Sequence, residues 1–204
     1  MDTATKYNTL IKKIPVVFEA GKAQGDGGDS HYDTFWDGYQ DNGNRRRYNY
    51  AFAGDGWTDE TFNPKYPFGA ITHATYMFGY SLVTEIEQTL DFSTITTTVA
   101  NTFTGSKVKT ARIKLSEAVA ANNMFQNSSE LTNLIIEGTI GKNGFNFQWS
   151  PLSHDSLMSI INALADKTGD TSGTTWTVTI GAENLAKLTT EEIGIADAKG
   201  WDLG

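Results

Sequence analysis

The fold of the chain is decided around one stretch, FQNSSELTNL at residues 125–134. It begins with a phenylalanine, has a serine three positions later and leads through polar residues into the aliphatic segment 134–136. The same arrangement recurs at intervals of 25, 22 and 22 residues, in the pairs Phe78 and Ser81, Phe103 and Ser106, Phe125 and Ser128, and Phe147 and Ser150. A fixed period of this length is typical of a solenoid, in which coils stack because one coil cannot bury its own apolar face.

Aliphatic residues follow three of the four phenylalanines at a similar distance. In three units, branched aliphatic side chains stand ten to twelve positions after it: Leu90, Ile113 and Leu115, and Ile135 and Ile136. Asparagines lie beside the phenylalanines, where their side chains can hydrogen-bond the backbone of tight turns: Asn101, Asn122, Asn123 and Asn127. We therefore expect residues 70–150 to form the repeat region, with the four phenylalanines stacked in one buried column.

Composition limits the classes of function. With 204 residues, 39% of them hydrophobic, the chain is long enough for one solenoid with a cap at each end. The formal net charge of −8 disfavours nucleic acid as a partner, and the basic run Arg45–Arg47 is typical of a solvated turn. The chain has no cysteine, which excludes disulfides and thiolate metal sites.

The first 29 residues are predicted to be an attachment segment. Apolar residues stand at helical spacing between Tyr7 and Phe18, and a glycine-rich linker follows at residues 25–29. We expect residues 7–18 to dock on another copy of the chain, as in a homo-oligomer such as a trimer, or on another protein. The start of the sequence does not resemble a secretion signal and no apolar segment reaches spanning length, so we expect synthesis in a cytoplasm and no membrane partner.

Residues 30–69 are rich in aromatic side chains. Tyr32, Phe35, Trp36 and Tyr39 recur at helical spacing, which indicates a cap over the open end of the repeat core. The alternative interpretation is a platform of flat aromatic faces that binds sugars. Trp57, in a glycine-rich turn, is the best candidate there for an exposed contact residue.

Residues 151–204 are predicted to close the other end as a helix, a strand and a helix. Ser153 is a helix N-cap before Leu157, Ile160, Ile161 and Leu164, and Thr189 with Glu192 forms a capping box for a helix ending at Gly200. Trp176, Val178 and Ile180 alternate as in a strand. Trp201 and Leu203 are expected to pack back on the core.

The stretch at residues 125–134 resembles the repeat of BspA-type leucine-rich-repeat proteins. In that family an aromatic residue, two further residues and a cysteine or small polar residue precede Leu-x-x-Ile, and serine takes the cysteine position here. The resemblance implies an α+β repeat protein. Its parts would be a short leucine-rich-repeat-like (BspA-type) solenoid at 70–150, an aromatic-rich N-terminal cap at 30–69 and a helical C-terminal cap at 151–204.

The two flanks resemble those of tail-associated structural proteins of phages and prophages of Gram-positive gut bacteria. The matching segments are FWDGYQDNGNR at 35–45, AFAG at 51–54, Trp57, PKY at 64–66, LSHDSLMSIINAL at 152–164, LAKLT at 185–189 and KGW at 199–201. This resemblance implies a virion component, in a tail fibre or baseplate, that contacts other virion proteins and can bind a glycan or protein of the host surface. A bacterial surface adhesin of the BspA type is the alternative, although that version expects an export signal and a wall anchor, which the sequence does not show.

The sequence offers no recognisable active site, so we expect no enzymatic activity, cofactor or metal. The three histidines His31, His73 and His154 lack metal-ligand spacing. Glu85 and Glu87 lie two apart and could pair as in a glycoside-cleaving enzyme, the third candidate function, but two acids on a solvated strand face are the commoner case.

A binding surface is expected on the polar residues beside the aliphatic positions of successive coils. The candidates are Glu85, Glu87, Lys107, Lys109, Arg112, Lys114, Glu130 and Glu137. They would form an acidic, a basic and again an acidic stripe, which suits a protein or a zwitterionic polymer. The alternative interpretation is that these charges only keep the surface soluble.

Overall fold

The structure, a computed structural model, describes residues 46–47, 61–62, 71–95 and 98–204. The expected attachment segment 1–29, nearly all of the aromatic cap 30–69 and its exposed candidate Trp57 lie outside these residues. The described part is a small mixed α/β fold with open sheets. Its elements, in chain order, are β1 (Arg46–Arg47), β2 (Thr61–Phe62), β3 (Ile71–His73), β4 (Glu85–Asp91), β5 (Thr110–Leu115), β6 (Asn133–Gly138), α1 (His154–Ala163), β7 (Trp176–Thr177), α2 (Ala182–Leu185), α3 (Thr190–Ala198) and β8 (Trp201–Asp202).

A four-stranded parallel sheet has its strands in the order of the chain, β2-β4-β5-β6. Strands β5 and β6 pair without a register shift from Thr110 opposite Asn133 to Leu115 opposite Gly138. In β5 the side chains alternate between exposed and buried positions, so that every second residue points into the core. Two short parallel pairs, β1 with β3 and β7 with β8, complete the described strands.

The four phenylalanines form one buried stack. Phe78, Phe103, Phe125 and Phe147 are all at most 1% exposed. The ring centroids of consecutive members lie 5.5, 5.1 and 5.0 Å apart, close to the spacing of neighbouring strands in a sheet. The ring planes are nearly parallel in the first two pairs, at 2° and 4°, and are inclined by 28° in the last pair.

Each phenylalanine lies in a tight turn, and the first three turns hydrogen-bond to one another through the backbone, while the N–H of Phe147 in the fourth donates to the carbonyl of Thr179. The backbone N–H of Phe78 donates to the carbonyl of Thr102, and that of Phe103 donates to the carbonyl of Met124. The residues two before and two after the phenylalanine have a positive φ in three successive turns: Tyr76 and Tyr80, Asn101 and Gly105, Asn123 and Asn127. This backbone conformation, which asparagine tolerates better than most residues, explains three of the four asparagines beside the column.

The serines that follow the phenylalanines are buried but not equivalent. The hydroxyl of Ser128 donates to the carbonyl of Phe103 at 2.7 Å, and the hydroxyl of Ser150 donates to the carbonyl of Ser128 at 3.1 Å. The hydroxyl of Ser106 has no hydrogen-bond partner among the described residues. The repeated serine therefore contributes a coil-to-coil hydrogen bond at some positions and only volume at another.

This difference predicts unequal costs for the same substitution. Ser128→Ala is expected to lower the free energy of unfolding by about 1 kcal/mol, because it removes a buried hydrogen bond. Ser106→Ala, the matched control, should change it by less than about 0.5 kcal/mol. Urea denaturation of the two variants beside the wild-type protein measures both values, and equal losses would contradict the assignment.

Helix α1 closes the outer edge of the sheet. Strand β6 is the last strand, and an open strand edge presents unpaired N–H groups. The hydroxyl of Ser156 accepts from the N–H of Leu134 at 2.8 Å, and the hydroxyl of Ser159 accepts from the N–H of Ile136 at 2.9 Å. Two helix side chains thus take the place of a further strand.

The helix predicted from the Ser153 N-cap is present as α1, and the predicted capping box of Thr189 and Glu192 is confirmed at the start of α3. Trp201 and Leu203 are buried, and the indole N–H of Trp201 donates to the carbonyl of Ala165 at 2.7 Å. Helix α3 ends at Ala198, two residues before Gly200.

The strand expected at Trp176, Val178 and Ile180 is shorter than predicted. Strand β7 covers only Trp176–Thr177, although the backbone N–H groups of Val178 and Ile180 continue the pairing by donating to the carbonyls of Asp202 and Gly204. The short helix α2 was not predicted; it begins after Gly181, whose φ is +80°.

Candidate functional site

The exposed face of the sheet is the surface on which the sequence placed its candidate binding residues. On β5 the buried side chains belong to Ala111, Ile113 and Leu115, and the exposed ones to Thr110, Arg112 and Lys114. The parallel register places Lys114 between Asp91 on β4 and Glu137 on β6. A basic strand therefore lies between two strands that carry acids.

The charges on this face pair with charges of the neighbouring strand or of the segment that leads into it. The ammonium of Lys107 lies 2.8 Å and that of Lys109 3.9 Å from the carboxylate of Glu130. The guanidinium of Arg112 lies 3.4 Å from the carboxylate of Glu137, and the ammonium of Lys114 lies 3.5 Å from that of Asp91. The basic residues and the acidic residues Glu130 and Glu137, which the sequence proposes as ligand contacts, therefore already neutralise each other.

Not all the candidates are brought together. Glu85 is exposed at the start of β4, opposite Thr110, while the Glu87 side chain and the whole of Trp57 lie outside the described residues. Ile135, predicted as an aliphatic position of the repeat, is 44% exposed on the charged face, between Asn133 and Glu137. Strand alternation places it there, because Leu134 and Ile136 on either side are buried.

Asp91 is the most constrained carboxylate of this face. Burial alone would raise its pKa, but hydrogen bonds from the hydroxyl and backbone N–H of Ser93, together with the charge of Lys114, outweigh burial and hold the pKa below the ordinary value. Elsewhere, the hydrogen bond and charge of Lys167 lower the pKa of Glu117, whose carboxylate lies 2.8 Å from that ammonium. Both carboxylates are stabilised as anions by their neighbours.

These lowered pKa values predict an acid-side loss of stability. A carboxyl whose pKa is lower in the folded than in the unfolded state stabilises the fold above its unfolded pKa, and the contribution is lost as the pH falls towards its folded pKa. We expect the free energy of unfolding to hold from pH 7 to about 5 and to fall below about pH 4, where unfolded carboxyls take up protons. Urea denaturation across this range should show a shallower fall for Asp91→Asn; the same slope as the wild type would contradict the role of Asp91.

Reversing the basic strand tests the coil-to-coil pairing. Replacing Lys109, Arg112 and Lys114 together with glutamate should lower the free energy of unfolding by about 1–2 kcal/mol, because attraction between neighbouring coils becomes repulsion. The corresponding triple glutamine variant should lose less. Added salt should shrink the difference between the two variants, since salt screens exposed charges. A difference that is absent at low salt would show that the pairs contribute nothing.

Of the three histidines, His154 is the one whose side chain the structure describes, and it links two helices. It lies at the start of α1, and its Nε2 lies 2.8 Å from a carboxylate oxygen of Glu192 on α3. The other carboxylate oxygen of Glu192 accepts the backbone N–H of Thr189 in the capping box. Hydrogen bonding by that N–H and by His154 outweighs burial and lowers the pKa of Glu192. The Glu192 carboxylate is thus hydrogen-bonded both to the start of its own helix and to His154, and the bond with His154 links α3 to α1.

Two exposed aromatic residues are not among the binding residues that the sequence predicts. Tyr80 and Trp149 each stand two positions after a phenylalanine of the column, and they are 59% and 57% exposed. Counting positions from the column would have found them, because a residue two beyond a buried one lies on the outside of these turns. Hydrophobicity alone would predict that both side chains are buried.

Among the described residues there is no group of three or more His, Cys, Asp or Glu side chains placed to hold a metal ion. Within the same residues, no helix is both long and apolar enough to cross a lipid bilayer. No protein-family model, no curated protein and no solved structure matches the chain. Function therefore has to be argued from the geometry of these surfaces and from the motifs of the sequence.

Proposed function

We propose that the chain is a non-enzymatic structural protein of a phage or prophage virion, in a tail fibre or baseplate, and that its body is a short leucine-rich-repeat-like solenoid. The observation that carries the proposal is the stack of four phenylalanine turns, with ring centroids 5.0–5.5 Å apart, beside a parallel sheet in chain order. Such a body is a stiff spacer, which is what a fibre or baseplate requires. The flanking motifs that resemble tail-associated proteins supply the virion context.

The solenoid interpretation is supported by the agreement of two independent ladders. Strands β4, β5 and β6 pair in chain order on one side, and the first three phenylalanine turns hydrogen-bond to each other in the same order on the other side. The hydroxyl of Ser150, beside the fourth turn, donates to the carbonyl of Ser128, beside the third. A chain that advances by one strand and one turn per repeat describes successive coils. The buried phenylalanines fill the space between the turns.

The absence of enzymatic activity is proposed because most charged groups on the exposed face of the sheet are engaged with one another. Catalysis requires titratable groups that converge on a space for substrate. Glu130, Glu137 and Asp91 each face a cation of the neighbouring coil, and His154 is bonded to a capping carboxylate. These groups hold elements together.

Attachment to other virion proteins, or to further copies in a homo-oligomer such as a trimer, is proposed through residues 7–18. The described end of the body favours this choice, because α1 covers the β6 edge and leaves its N–H groups of Leu134 and Ile136 bonded to serine hydroxyls. A partner cannot add a strand there.

The experiment is to purify the particles released after prophage induction from the bacterium that carries the gene. Mass spectrometry should find the chain in the particles at the copy number of a tail component, and antibody labelling should place it at the tail. Recovery from the cell-wall fraction, with none in the particles, would overturn the proposal in favour of the adhesin. Release of reducing sugars from cell walls by the purified protein would overturn its non-enzymatic part.

A further inference from the structure

The outer surface of the stacked turns carries no charge. The four segments around the phenylalanines, 76–80, 101–105, 123–127 and 145–149, contain not one Lys, Arg, Asp, Glu or His, although 20% of the chain is Lys, Arg, Asp or Glu. We call these segments the turn face. It contrasts with the exposed face of the sheet, where every exposed residue of β5 is basic or carries a hydroxyl group.

Two large aromatic side chains stand out on the turn face. Tyr80 in the first turn is 59% exposed and Trp149 in the fourth is 57% exposed, and both occupy the position two after the phenylalanine. The turns between them carry Gly105 and Asn127 at that position. Three steps of 5.5, 5.1 and 5.0 Å between ring centroids separate the first turn from the fourth, about 16 Å along the column.

The backbone at Tyr80 is strained for a tyrosine. Its φ is +58°, the left-handed region, and the equivalent residues of the next turns, Gly105 and Asn127, have φ values of +64° and +58°. Glycine and asparagine adopt this conformation at lower cost than tyrosine. A Cβ atom at Gly105 would come within 2.7 Å of the Tyr80 ring, so the ring lies over the second turn. An aromatic residue that is both strained and exposed points to a use for that side chain.

We propose that the turn face binds a neutral glycan. The rings of Tyr80 and Trp149 stack on the apolar faces of two sugar residues, and the exposed amides of Asn127 and Gln148 between and beside them bond sugar hydroxyls. With no charged group on the face, nothing there compensates the desolvation of an anionic or cationic polymer. Neutral rings with many hydroxyl groups match aromatic and amide groups.

A peptide strand is a poorer fit to the same surface. Strand addition requires free backbone N–H groups at an edge. On the turn face the N–H of Tyr80 already donates to the carbonyl of Thr104, and that of Gly105 donates to the carbonyl of Gln126. The face therefore offers side chains to a ligand in place of backbone pairing. The inference depends on the proposed virion function only for the source of the glycan, which would be the host surface.

Affinity gel electrophoresis tests the binding directly, with full-length protein in gels containing dextran, mannan, galactan or β-1,3-glucan, and hyaluronate as the anionic comparison. The variants Trp149→Ala and Tyr80→Asn leave the net charge unchanged, so their mobility without polysaccharide should equal that of the wild type. Ile195→Ala, at a 37% exposed position on α3, is the matched control outside the turn face. Urea denaturation confirms that each variant is folded, and Tyr80→Asn should not be less stable, because asparagine suits the positive φ.

We expect at least one neutral polymer to retard the wild-type protein, Trp149→Ala and Tyr80→Asn to weaken that binding about tenfold or more, and Ile195→Ala to bind as the wild type does. Retardation by none of the four neutral polymers, retardation by hyaluronate alone, or undiminished binding by folded Trp149→Ala would each overturn the proposal. These outcomes are independent of whether the chain is found in particles, so failure of the glycan site and failure of the virion assignment are distinguishable.

Discussion

Replacing Phe125 with alanine is expected to lower the free energy of unfolding by about 3–5 kcal/mol. Phe125 is 1% exposed, and its ring centroid lies 5.1 Å from that of Phe103 and 5.0 Å from that of Phe147. The substitution removes a ring from the middle of the column, and the rings on both sides lose a stacking partner. Because a domain is stable by only about 5–15 kcal/mol, this loss consumes much of the total.

Urea denaturation followed by far-ultraviolet circular dichroism measures the effect. Phe125→Leu is the graded control, since it keeps most of the volume and should cost clearly less. Trp149→Ala, which removes an exposed aromatic residue, should change the stability by less than about 0.5 kcal/mol. If Phe125→Ala costs no more than Trp149→Ala, the phenylalanine column does not hold the coils together.

Asn184→Ala is expected to cost about 2–3 kcal/mol, because it removes a buried amide that ties the C-terminal part to the last turn. The side-chain NH₂ of Asn184 donates to the carbonyl of Ser150 at 2.8 Å and to that of Ile180 at 2.9 Å, with the carbonyl of Phe147 at 3.4 Å. Its oxygen accepts from the ammonium of Lys187 at 2.9 Å. One side chain thus joins three segments.

Most of the lost stability should come from one backbone carbonyl that is left without a hydrogen-bond donor. The carbonyl of Ser150 also accepts the N–H of Leu152, so it keeps a partner in the variant, whereas the Ile180 carbonyl loses the amide that points at it. Asn162→Ala, the same change at an exposed position of α1, is the matched control and should alter the stability by less than about 0.5 kcal/mol. Equal effects at the two positions in chemical denaturation would contradict the role of Asn184.

The sequence predicted best what is repeated or local. Equivalent positions of successive units share an environment, so the period of the phenylalanines was enough to predict their buried stack. The Ser153 N-cap and the box of Thr189 and Glu192 are signals contained within four residues, and both are confirmed.

Contacts between distant residues could not be predicted in the same way. Lys114 pairs with Asp91 of the preceding coil and Arg112 with Glu137 of the following one, and the choice depends on the strand register, which shifts between Glu85 and Thr89. Asn184 contacts carbonyls that lie 34 and 37 residues away in the chain. Neither arrangement has a signature in the spacing of residues.

Residue type also fails to predict the exposure of a side chain where the backbone conformation turns that side chain outward. Ile135 was grouped with the aliphatic core positions, and strand alternation turns it to the surface. At Tyr80 the positive φ directs a large ring outward and over Gly105. The aromatic cap with Trp57 and the attachment segment 7–18 remain predictions, as they lie outside the described residues.

The closing contacts of α1 have a consequence for how such a chain can change in evolution. Ser156 and Ser159 bond to β6, and the last two intervals of the phenylalanine column are both 22 residues long. Duplicating one such interval would add a coil in the middle of the array and leave the strand that meets α1 as it was. Length and termination are therefore separately encoded, so that recombination within a gene can lengthen or shorten the stack of turns and strands in steps of about 5 Å without redesigning its end.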